Sequence, residues 1–343
     1  MTRPAPQSLP LALTMGDPAG IGLDITLAAW SACRKKGPVF AFLGDPAALH
    51  DRAARLGVTV PISEISDLAE ATSRFSASLP VLPFLLAEKA VPGTPSQANA
   101  SAILTSIRQA VALTQQGRAA AVVTNPISKA VLQEAGFSHP GHTEYLADLA
   151  ARPGTEPPFP VMMLASAGLR VVPVTIHIPL AQVPRKLTHA LLRRTAVTTH
   201  EGLSRRFGIA RPRIGVTGLN PHAGESGHMG REEIDIIAPV ISSLKSAGME
   251  IAGPYPADAI FQERQRGAFD AIVAMYHDQA LVPIKALAFD TAVNVTLGLP
   301  FVRTSPDHGT AFDIAGTGKA SASSLICALE MAASMADHRE HAA

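Results

Sequence analysis

The chain has 343 residues, of which 47% are hydrophobic and 17% are charged, and its formal net charge is +1. This charged fraction lies below the roughly 25% typical of soluble domains, and the length predicts about two domains with a substantial buried core. A net charge so close to zero argues against nucleic-acid binding and against attraction to an anionic membrane surface.

The two cysteines, Cys33 and Cys327, have neither metal-site spacing nor the number needed for a disulfide framework. They favour a reducing compartment. No run of 18 apolar residues is present, so no membrane span is expected. The short apolar stretch at residues 9–15 leads into a glycine-rich turn and does not resemble a signal peptide. These features predict a cytoplasmic protein.

Short apolar runs alternate with helical patterns along most of the chain. The first strands are predicted at residues 11–15, 39–43 and 119–124. An amphipathic helix before the third strand places Ile103, Ile107 and Val111 on one face and should end at Gly117. Strands that alternate with helices predict an α/β fold whose sheet is mostly parallel and covered on both faces.

Two later helices are predicted at residues 231–245 and 323–335, the first with a kink at Pro239. Proline and glycine cluster at residues 91–95 and 153–160, which are therefore the best candidates for loops or hinges.

Three histidines, His177, His222 and His277, each follow a strand-like apolar run. The carboxyl ends of parallel strands open onto the ligand crevice of an α/β sheet. Three imidazoles there would fill three positions of a tetrahedral metal and leave the fourth for substrate. Alternatively, the three are unrelated members of a set of twelve histidines. His228 competes with His222, which we favour because it lies nearer its strand.

A second group of residues suits an anionic substrate. Lys285 and Arg303 offer cations, and Asn294 lies between them with a donor and an acceptor. The alternative is a pair of solvated surface cations. Upstream, His142 and Thr143 precede a predicted helix, where Thr143 is a candidate N-cap and the helix start a candidate anion site.

Two glycine-rich loops invite a nucleotide-binding interpretation. Residues 16–22 lack the G-x-G-x-x-G spacing, so a tight structural turn explains them equally well. Residues 307–320 contain Gly309 and Asp313. A carboxylate there would accept hydrogen bonds from the ribose hydroxyls of NAD and repel the 2′-phosphate of NADP, although Asp313 alone is also a common turn residue.

Together these segments resemble the 4-hydroxythreonine-4-phosphate dehydrogenase family of pyridoxal phosphate biosynthesis. The resemblance covers nearly the whole chain. It rests on MGDPAGIG at 15–22, VTNPISK at 123–129, GHTEYLA at 141–147, GLNPHAGESGHMGREEID at 218–235, YPADAIF at 255–261, MYHDQAL at 275–281 and VNVTLGLPFVRTSPDHGTAFDIAGTGKA at 293–320.

The resemblance implies the two-domain fold of the isocitrate and isopropylmalate dehydrogenases. We expect a discontinuous cofactor-side domain at 1–135 plus 290–343 and a central metal-side and dimer-side domain at 136–289. A homodimer whose active sites are shared between subunits is also implied. One departure is Leu23-Asp24, where the family usually has Pro-Glu, and this affects the expected start of the helix.

The resemblance also implies roles for individual residues. One divalent ion, Zn, Mg or Co, is expected on the three histidines, and NAD on the 307–320 loop through Asp313 and Gly309. The substrate-binding residues implied are His142, Thr143, Lys285, Asn294 and Arg303.

The implied reaction oxidises the C3 hydroxyl of 4-phosphooxy-L-threonine with NAD and then releases CO2, giving 3-amino-2-oxopropyl phosphate. Lys285, Asp278 and Asp258 are the candidate proton acceptors. Related dehydrogenases of threonate or erythronate 4-phosphate, or of cyclic dihydrodiols, remain alternatives. So do a metal-dependent phosphate-ester hydrolase and a non-enzymatic metal- or nucleotide-binding protein.

Overall fold

The structure is a computed structural model that describes residues 9–139, 141–152 and 154–340. Within these residues the strands are β1 (Leu11–Thr14), β2 (Phe40–Gly44), β3 (Ile62–Glu64), β4 (Leu79–Pro83), β5 (Val122–Val123), β6 (Val161–Ser166), β7 (Leu169–Thr175), β8 (Arg213–Thr217), β9 (Glu250–Tyr255), β10 (Ala271–Tyr276), β11 (Val293–Leu297) and β12 (Arg303–Pro306). The helices are α1 (Gly22–Cys33), α2 (Pro46–Leu56), α3 (Ala71–Arg74), α4 (Ala100–Gln115), α5 (Lys129–Glu134), α6 (His142–Ala150), α7 (Val183–Lys186), α8 (His189–Phe207), α9 (Ala238–Ser246), α10 (Ala257–Ile260), α11 (Glu263–Arg266), α12 (His277–Ala288) and α13 (Ser323–Glu340).

The chain divides into two compact units. Among the described residues, unit 1 comprises 9–158 and 299–340, and unit 2 comprises 159–298. The boundaries expected from the family resemblance lie near 135 and 290. Both boundaries of unit 2 fall in loops, one of them within the proline-rich stretch 153–160.

Unit 1 contains a parallel array in the order β3-β4-β2-β1-β5-β12. Its central strands are fully buried, as expected for parallel strands that helices cover on both faces. Unit 2 contains strands in the order β11-β6-β7-β10-β8-β9. The pairs from β7 to β9 are parallel, and β6 pairs antiparallel with both β7 and β11. The predicted α/β fold with a mostly parallel sheet is therefore confirmed.

Helix α4 follows its predicted pattern. Ile103, Ile107 and Val111 are buried, and Gly117 follows the helix with φ of +71°. The helix around Pro239 differs from expectation, because a π-helical turn at Glu233–Ile237 leads into α9 and Pro239 is the second residue of α9. The change of helical type thus lies directly before the proline, which has no N–H to donate to the preceding turn.

The region around Asp24 joins distant parts of unit 1. Helix α1 begins at Gly22 without a proline at residue 23. Asp24 is buried, forms an ion pair with Arg52 of α2, and accepts a hydrogen bond from the amide of Gly316 at 2.7 Å. Arg52 also donates to the carbonyls of Pro18 and Gly20. One buried ion pair therefore connects α1, α2, the 16–22 loop and the 307–320 loop.

Both cysteines are free thiols. In the described part of the chain, no helix has the length and apolar character that crossing a membrane requires.

Breaking the Asp24–Arg52 pair should destabilise unit 1 strongly. The variant Arg52→Met leaves a buried carboxylate without its cation, so we expect a loss of about 3–5 kcal/mol in the free energy of unfolding. Urea denaturation followed by circular dichroism measures this. Arg74→Met is the matched control, since Arg74 pairs with Glu70 at an exposed position and should lose less than about 1 kcal/mol. Equal losses in the two variants would contradict the prediction.

Candidate active site

Two of the three predicted metal-binding histidines lie together in unit 2. Strands β7 and β10 run side by side and in parallel, with Thr175 opposite Tyr276. His177 follows the end of β7, and His277 is the first residue of α12, directly after β10. Their ring centroids are 5.7 Å apart. The strand pairing thus brings two imidazoles to the same edge of the sheet.

The His277 ring has a carboxylate partner. Its Nδ1 lies 2.7 Å from Oδ1 of Asp278. A proton on Nδ1 donates to that carboxylate and leaves the lone pair of Nε2 for another ligand, which is the usual arrangement of a metal-binding histidine. Asp278, one of the predicted proton acceptors, therefore contacts the predicted metal ligand beside it.

His222 occupies an unusual loop after β8. The backbone of five successive residues, His222 to Ser226, is left-handed, with φ between 41° and 78°. Left-handed backbone is rare for residues other than glycine and is maintained only by strong surrounding contacts. His222 and its competitor His228 are both exposed. Among the described residues of a single chain, no three histidine, cysteine or acidic side chains form a metal-binding group. The third histidine is thus not gathered with the other two within one chain.

A polar cavity of about 180 Å³ lies in unit 1, at the carboxyl ends of the adjacent parallel strands β5 and β12. It is lined by Thr124, Asn125, Pro126, Ile127, His142, Arg303, Ser305, Pro306, His308 and Gly309. Arg303 is 3% exposed and donates from Nη2 to the Thr124 hydroxyl at 2.7 Å. Burial lowers the pKa of Arg303 to about 10. The guanidinium therefore remains a cation at neutral pH, largely shielded from water.

His142 is neutral in this cavity. Burial, assisted by the charge of Arg303, lowers the pKa of His142 well below its ordinary value of 6.5. In the part of the chain that the structure describes, buried atoms of lining residues that have no hydrogen-bond partner include Nε2 of His142, Nε2 of His308 and Oδ1 of Asn125. Buried polar atoms without protein partners are rare and point to a ligand or water that satisfies them. Beside Arg303, they suit an anion that also carries hydroxyl groups.

Thr143 does not occupy the N-cap position of helix α6. The N-cap of α6 is Gly141, and Thr143 is already the second helical residue. The capping interpretation of Thr143 is therefore wrong, because the helix begins earlier than the apolar pattern suggested. His142 and Thr143 both lie in its first turn.

The remaining predicted residues are distributed between the units. Lys285 lies on α12 and Asn294 on β11, both half-buried, and Asp258 lies on α10; all three belong to unit 2. In unit 1, Gly309 lines the Arg303 cavity, and Asp313 is exposed in a short 3₁₀ turn at Phe312–Ile314.

The 16–22 loop makes backbone hydrogen bonds to the 307–320 loop and to the segment after β5. The amide of Ile21 donates to the carbonyl of Thr310, and the amide of Asp17 donates to the carbonyl of Pro126, each at 2.9 Å. These bonds support the structural interpretation of the 16–22 loop, which holds the neighbouring loops in place.

Comparisons with known proteins identify the family. The model of the family described as "Pyridoxal phosphate biosynthetic protein PdxA" matches residues 35–332. The chain belongs to this family. A relative from Methylorubrum populi, named 4-hydroxythreonine-4-phosphate dehydrogenase, is 57% identical over 330 residues, covering 95% of this chain and 94% of its own.

Solved structures are similar throughout the chain. The crystal structure of 4-hydroxythreonine-4-phosphate dehydrogenase from Klebsiella pneumoniae is 38% identical, with a TM-score of 0.85, and the match covers 96% of this chain and all of that one. A terephthalate 1,2-cis-dihydrodiol dehydrogenase from Burkholderia xenovorans is 30% identical, with a TM-score of 0.64, and covers 96% and 98%. The prediction of an enzyme of the PdxA family, an oxidoreductase with the two-domain fold, is confirmed.

Some cavity residues were absent from the sequence-based prediction. Thr124, Asn125, Ser305 and His308 had no assigned role, although each lies at or just beyond the end of a parallel strand. The rule that identified the histidines of unit 2 applies equally to these positions.

The neutral state of His142 leads to a pH dependence. The unfolded chain binds a proton at this histidine near pH 6.5 and the folded chain does not, so acidification below pH 6.5 favours unfolding. We expect the wild-type protein to lose more stability between pH 6.5 and about pH 5 than His142→Asn does. Nuclear magnetic resonance titration of the imidazole in wild type and in Arg303→Gln gives the second measurement. Removal of the Arg303 charge should raise the pKa of His142. An unchanged pKa would contradict the contribution of Arg303 to it.

Proposed function

We propose that the enzyme oxidises 4-phosphooxy-L-threonine at its C3 hydroxyl with NAD and then releases CO2, giving 3-amino-2-oxopropyl phosphate in the cytoplasm. The observation that carries this proposal is the desolvated Arg303 beside neutral His142, in a cavity where one buried atom each of His142, His308 and Asn125 has no hydrogen-bond partner among the described residues. Such a site suits a phosphorylated hydroxy acid better than an uncharged diol.

Each cavity residue has a physical task in this proposal. Arg303 supplies charge-assisted hydrogen bonds, which strengthen where water is excluded. Thr124 holds the guanidinium through its Nη2 atom. Neutral His142 and Asn125 offer atoms that bind hydroxyl groups without adding charge. Thr143, Lys285 and Asn294 remain proposed substrate-binding residues.

The His177–His277 pair fits a divalent ion. Two imidazoles on one tetrahedral ion, with metal–nitrogen distances of about 2.0–2.1 Å, have ring centroids roughly 5 Å apart. The observed 5.7 Å is close to this spacing, and Asp278 leaves Nε2 of His277 available. We propose that His177, His222 and His277 bind Zn, Mg or Co. When bound, the ion would supply a Lewis acid for both the oxidation and the decarboxylation.

We propose that the enzyme is a homodimer and that the three histidines of a site come from both subunits. Several large apolar side chains of unit 2 are exposed on the segments that carry His177 and His277, at fractions of 68% for Leu180, 64% for Val282 and 73% for Phe289. Exposed apolar side chains of this size favour a protein interface.

NAD is the proposed oxidant, bound along the 307–320 loop. We propose that Asp313 accepts hydrogen bonds from the ribose hydroxyls and that Gly309 permits close approach of the cofactor. The loop is anchored at Gly316, whose amide donates to Asp24 and whose carbonyl accepts from Arg55. Anchoring keeps the loop ordered before the cofactor binds. Lys285 and Asp258 remain the candidate proton acceptors, and we assign Asp278 to orienting His277.

The proposal is tested by incubating metal-loaded enzyme with NAD and a panel of 4-phosphorylated acids: 4-phosphooxy-L-threonine, threonate 4-phosphate and erythronate 4-phosphate. NADH and CO2 should appear together, at the highest kcat/KM with 4-phosphooxy-L-threonine. Preference for another member of the panel would change the substrate assignment. Release of inorganic phosphate without NADH would indicate a hydrolase.

Removing Arg303 should impair substrate use selectively. In Arg303→Met we expect kcat/KM for the phosphorylated substrate to fall on the order of 100-fold, because a buried charge-assisted contact is lost. The KM for NAD should change little. Arg118→Met is the control, since Arg118 forms an exposed ion pair with Asp67. Unchanged kcat/KM in Arg303→Met would refute the assignment of the cavity.

Removing His222 should abolish metal-dependent turnover while preserving the fold. His222 is exposed, so His222→Ala should keep the melting temperature of the metal-free protein. Isothermal titration with Zn²⁺ measures binding directly, and His228→Ala is the control at the competing histidine. If His222→Ala reduced NAD at the wild-type rate, the metal assignment would be wrong.

A further inference from the structure

The side chain of Gln279 connects the ends of two strands in unit 2. Gln279 is only 9% exposed, and its amide group makes three hydrogen bonds. Oε1 accepts from the Thr217 hydroxyl and from the Met275 amide, both at 2.7 Å, and Nε2 donates to the Gly218 carbonyl at 2.9 Å. These partners lie at the carboxyl ends of the neighbouring parallel strands β8 and β10, next to the loops of His222 and His277.

The third strand joins the same network. The Thr175 hydroxyl, at the end of β7, donates to the Met275 carbonyl at 2.8 Å. The Met275 amide therefore donates to Gln279, and the Met275 carbonyl accepts from Thr175. Thr175, Met275 and Thr217 each lie within five residues of a proposed metal ligand. The polar network thus ties together the backbone from which the three histidines extend.

Glu233 stabilises the loop that presents His222. Its carboxylate is 3% exposed and accepts from the amides of Leu219 and Asn220 at 2.7 and 2.8 Å, and from the Asn220 side chain at 2.9 Å. The loop packs closely on this carboxylate, because a Cβ atom at Gly224 would lie 2.6 Å from Oε2. Glu233 thereby fixes the two residues, Leu219 and Asn220, that lead into the left-handed segment.

We infer that Gln279 and Glu233 are positioning residues for the proposed metal site. Gln279 fixes the ends of β8 and β10, from which the His222 and His277 loops leave, and Glu233 holds the His222 loop in its left-handed form. Neither is a metal ligand. Both act through the backbone, so the imidazoles are already oriented before any ion binds. This inference rests on the proposed function for the identity of the site and adds how the site is built.

Two substitutions test the network with little change in volume. Gln279→Glu keeps the acceptor oxygens and loses the donor to Gly218. Glu233→Gln keeps an oxygen for the backbone amides and directs an NH2 group at the Asn220 side chain, which is also a donor. The control is Thr199→Val in the same unit: Thr199 is equally buried, and its hydroxyl bonds within α8, to the carbonyl of Thr195.

The probe is Co²⁺ added to the full-length, metal-free protein, followed by calorimetry and by the visible absorption spectrum. We expect Gln279→Glu and Glu233→Gln to bind Co²⁺ roughly 10–100-fold more weakly and with an altered spectrum, as for other residues that orient metal ligands. Thr199→Val should lose stability and keep both the affinity and the spectrum. Wild-type affinity and spectrum in both test variants would overturn the inference.

Hydrogen exchange separates this inference from the metal assignment. In the absence of metal, the amides of Leu219 and Asn220 should exchange faster in Glu233→Gln, and the amide of Met275 faster in Gln279→Glu, than in wild type or Thr199→Val. If the wild-type protein bound no Co²⁺, the proposed metal site would be refuted. The exchange rates would still test whether Gln279 and Glu233 fix the loops. Unchanged exchange at all three amides would refute the positioning role itself.

Discussion

Parallel pairing of β7, β10 and β8 is the constraint on which the proposed chemistry of unit 2 depends. Val273 of β10 lies opposite Val172 of β7 and Val216 of β8, so all three strands end at the same edge. A shift of one residue in either pairing would turn every side chain of the shifted strand to the other face of the sheet. The register is therefore as important for the histidines as their identity.

Burial lowers the pKa of two basic groups of unit 1 and leaves them in different charge states. It leaves Arg303 charged and His142 neutral at the same pH, because their ordinary pKa values differ by several units. Neighbouring donors with different charge states can distinguish a phosphate from a hydroxyl group. In the Asp24–Arg52 pair, by contrast, two opposite charges neutralise each other and serve the structure of the loops.

The fold was largely predictable from sequence, because strand-like runs and helical periodicity are local signals. The strand-end positions of His177 and His277 follow from the same signals. The left-handed loop of His222 was not predictable, since residues such as Ala223 and Ser226 carry no sequence signal for positive φ, and the loop packs on Glu233, which lies further along the chain. The roles of Gln279 and Asn125 were missed for a related reason. An uncharged amide has no sequence signal until its hydrogen-bond partners are known.

The discontinuity of unit 1 has a consequence for biosynthesis. Strand β12 lies beside β5 in parallel register, with Arg303 opposite Val122, and Gly316 caps the buried Asp24. The nascent chain emerging from the ribosome therefore completes unit 2 while unit 1 still lacks β12 and the Gly316 amide that donates to Asp24. Unit 1 reaches its final form only after the segment from residue 299 onward has been made, and until then β5 lacks one of its two neighbouring strands.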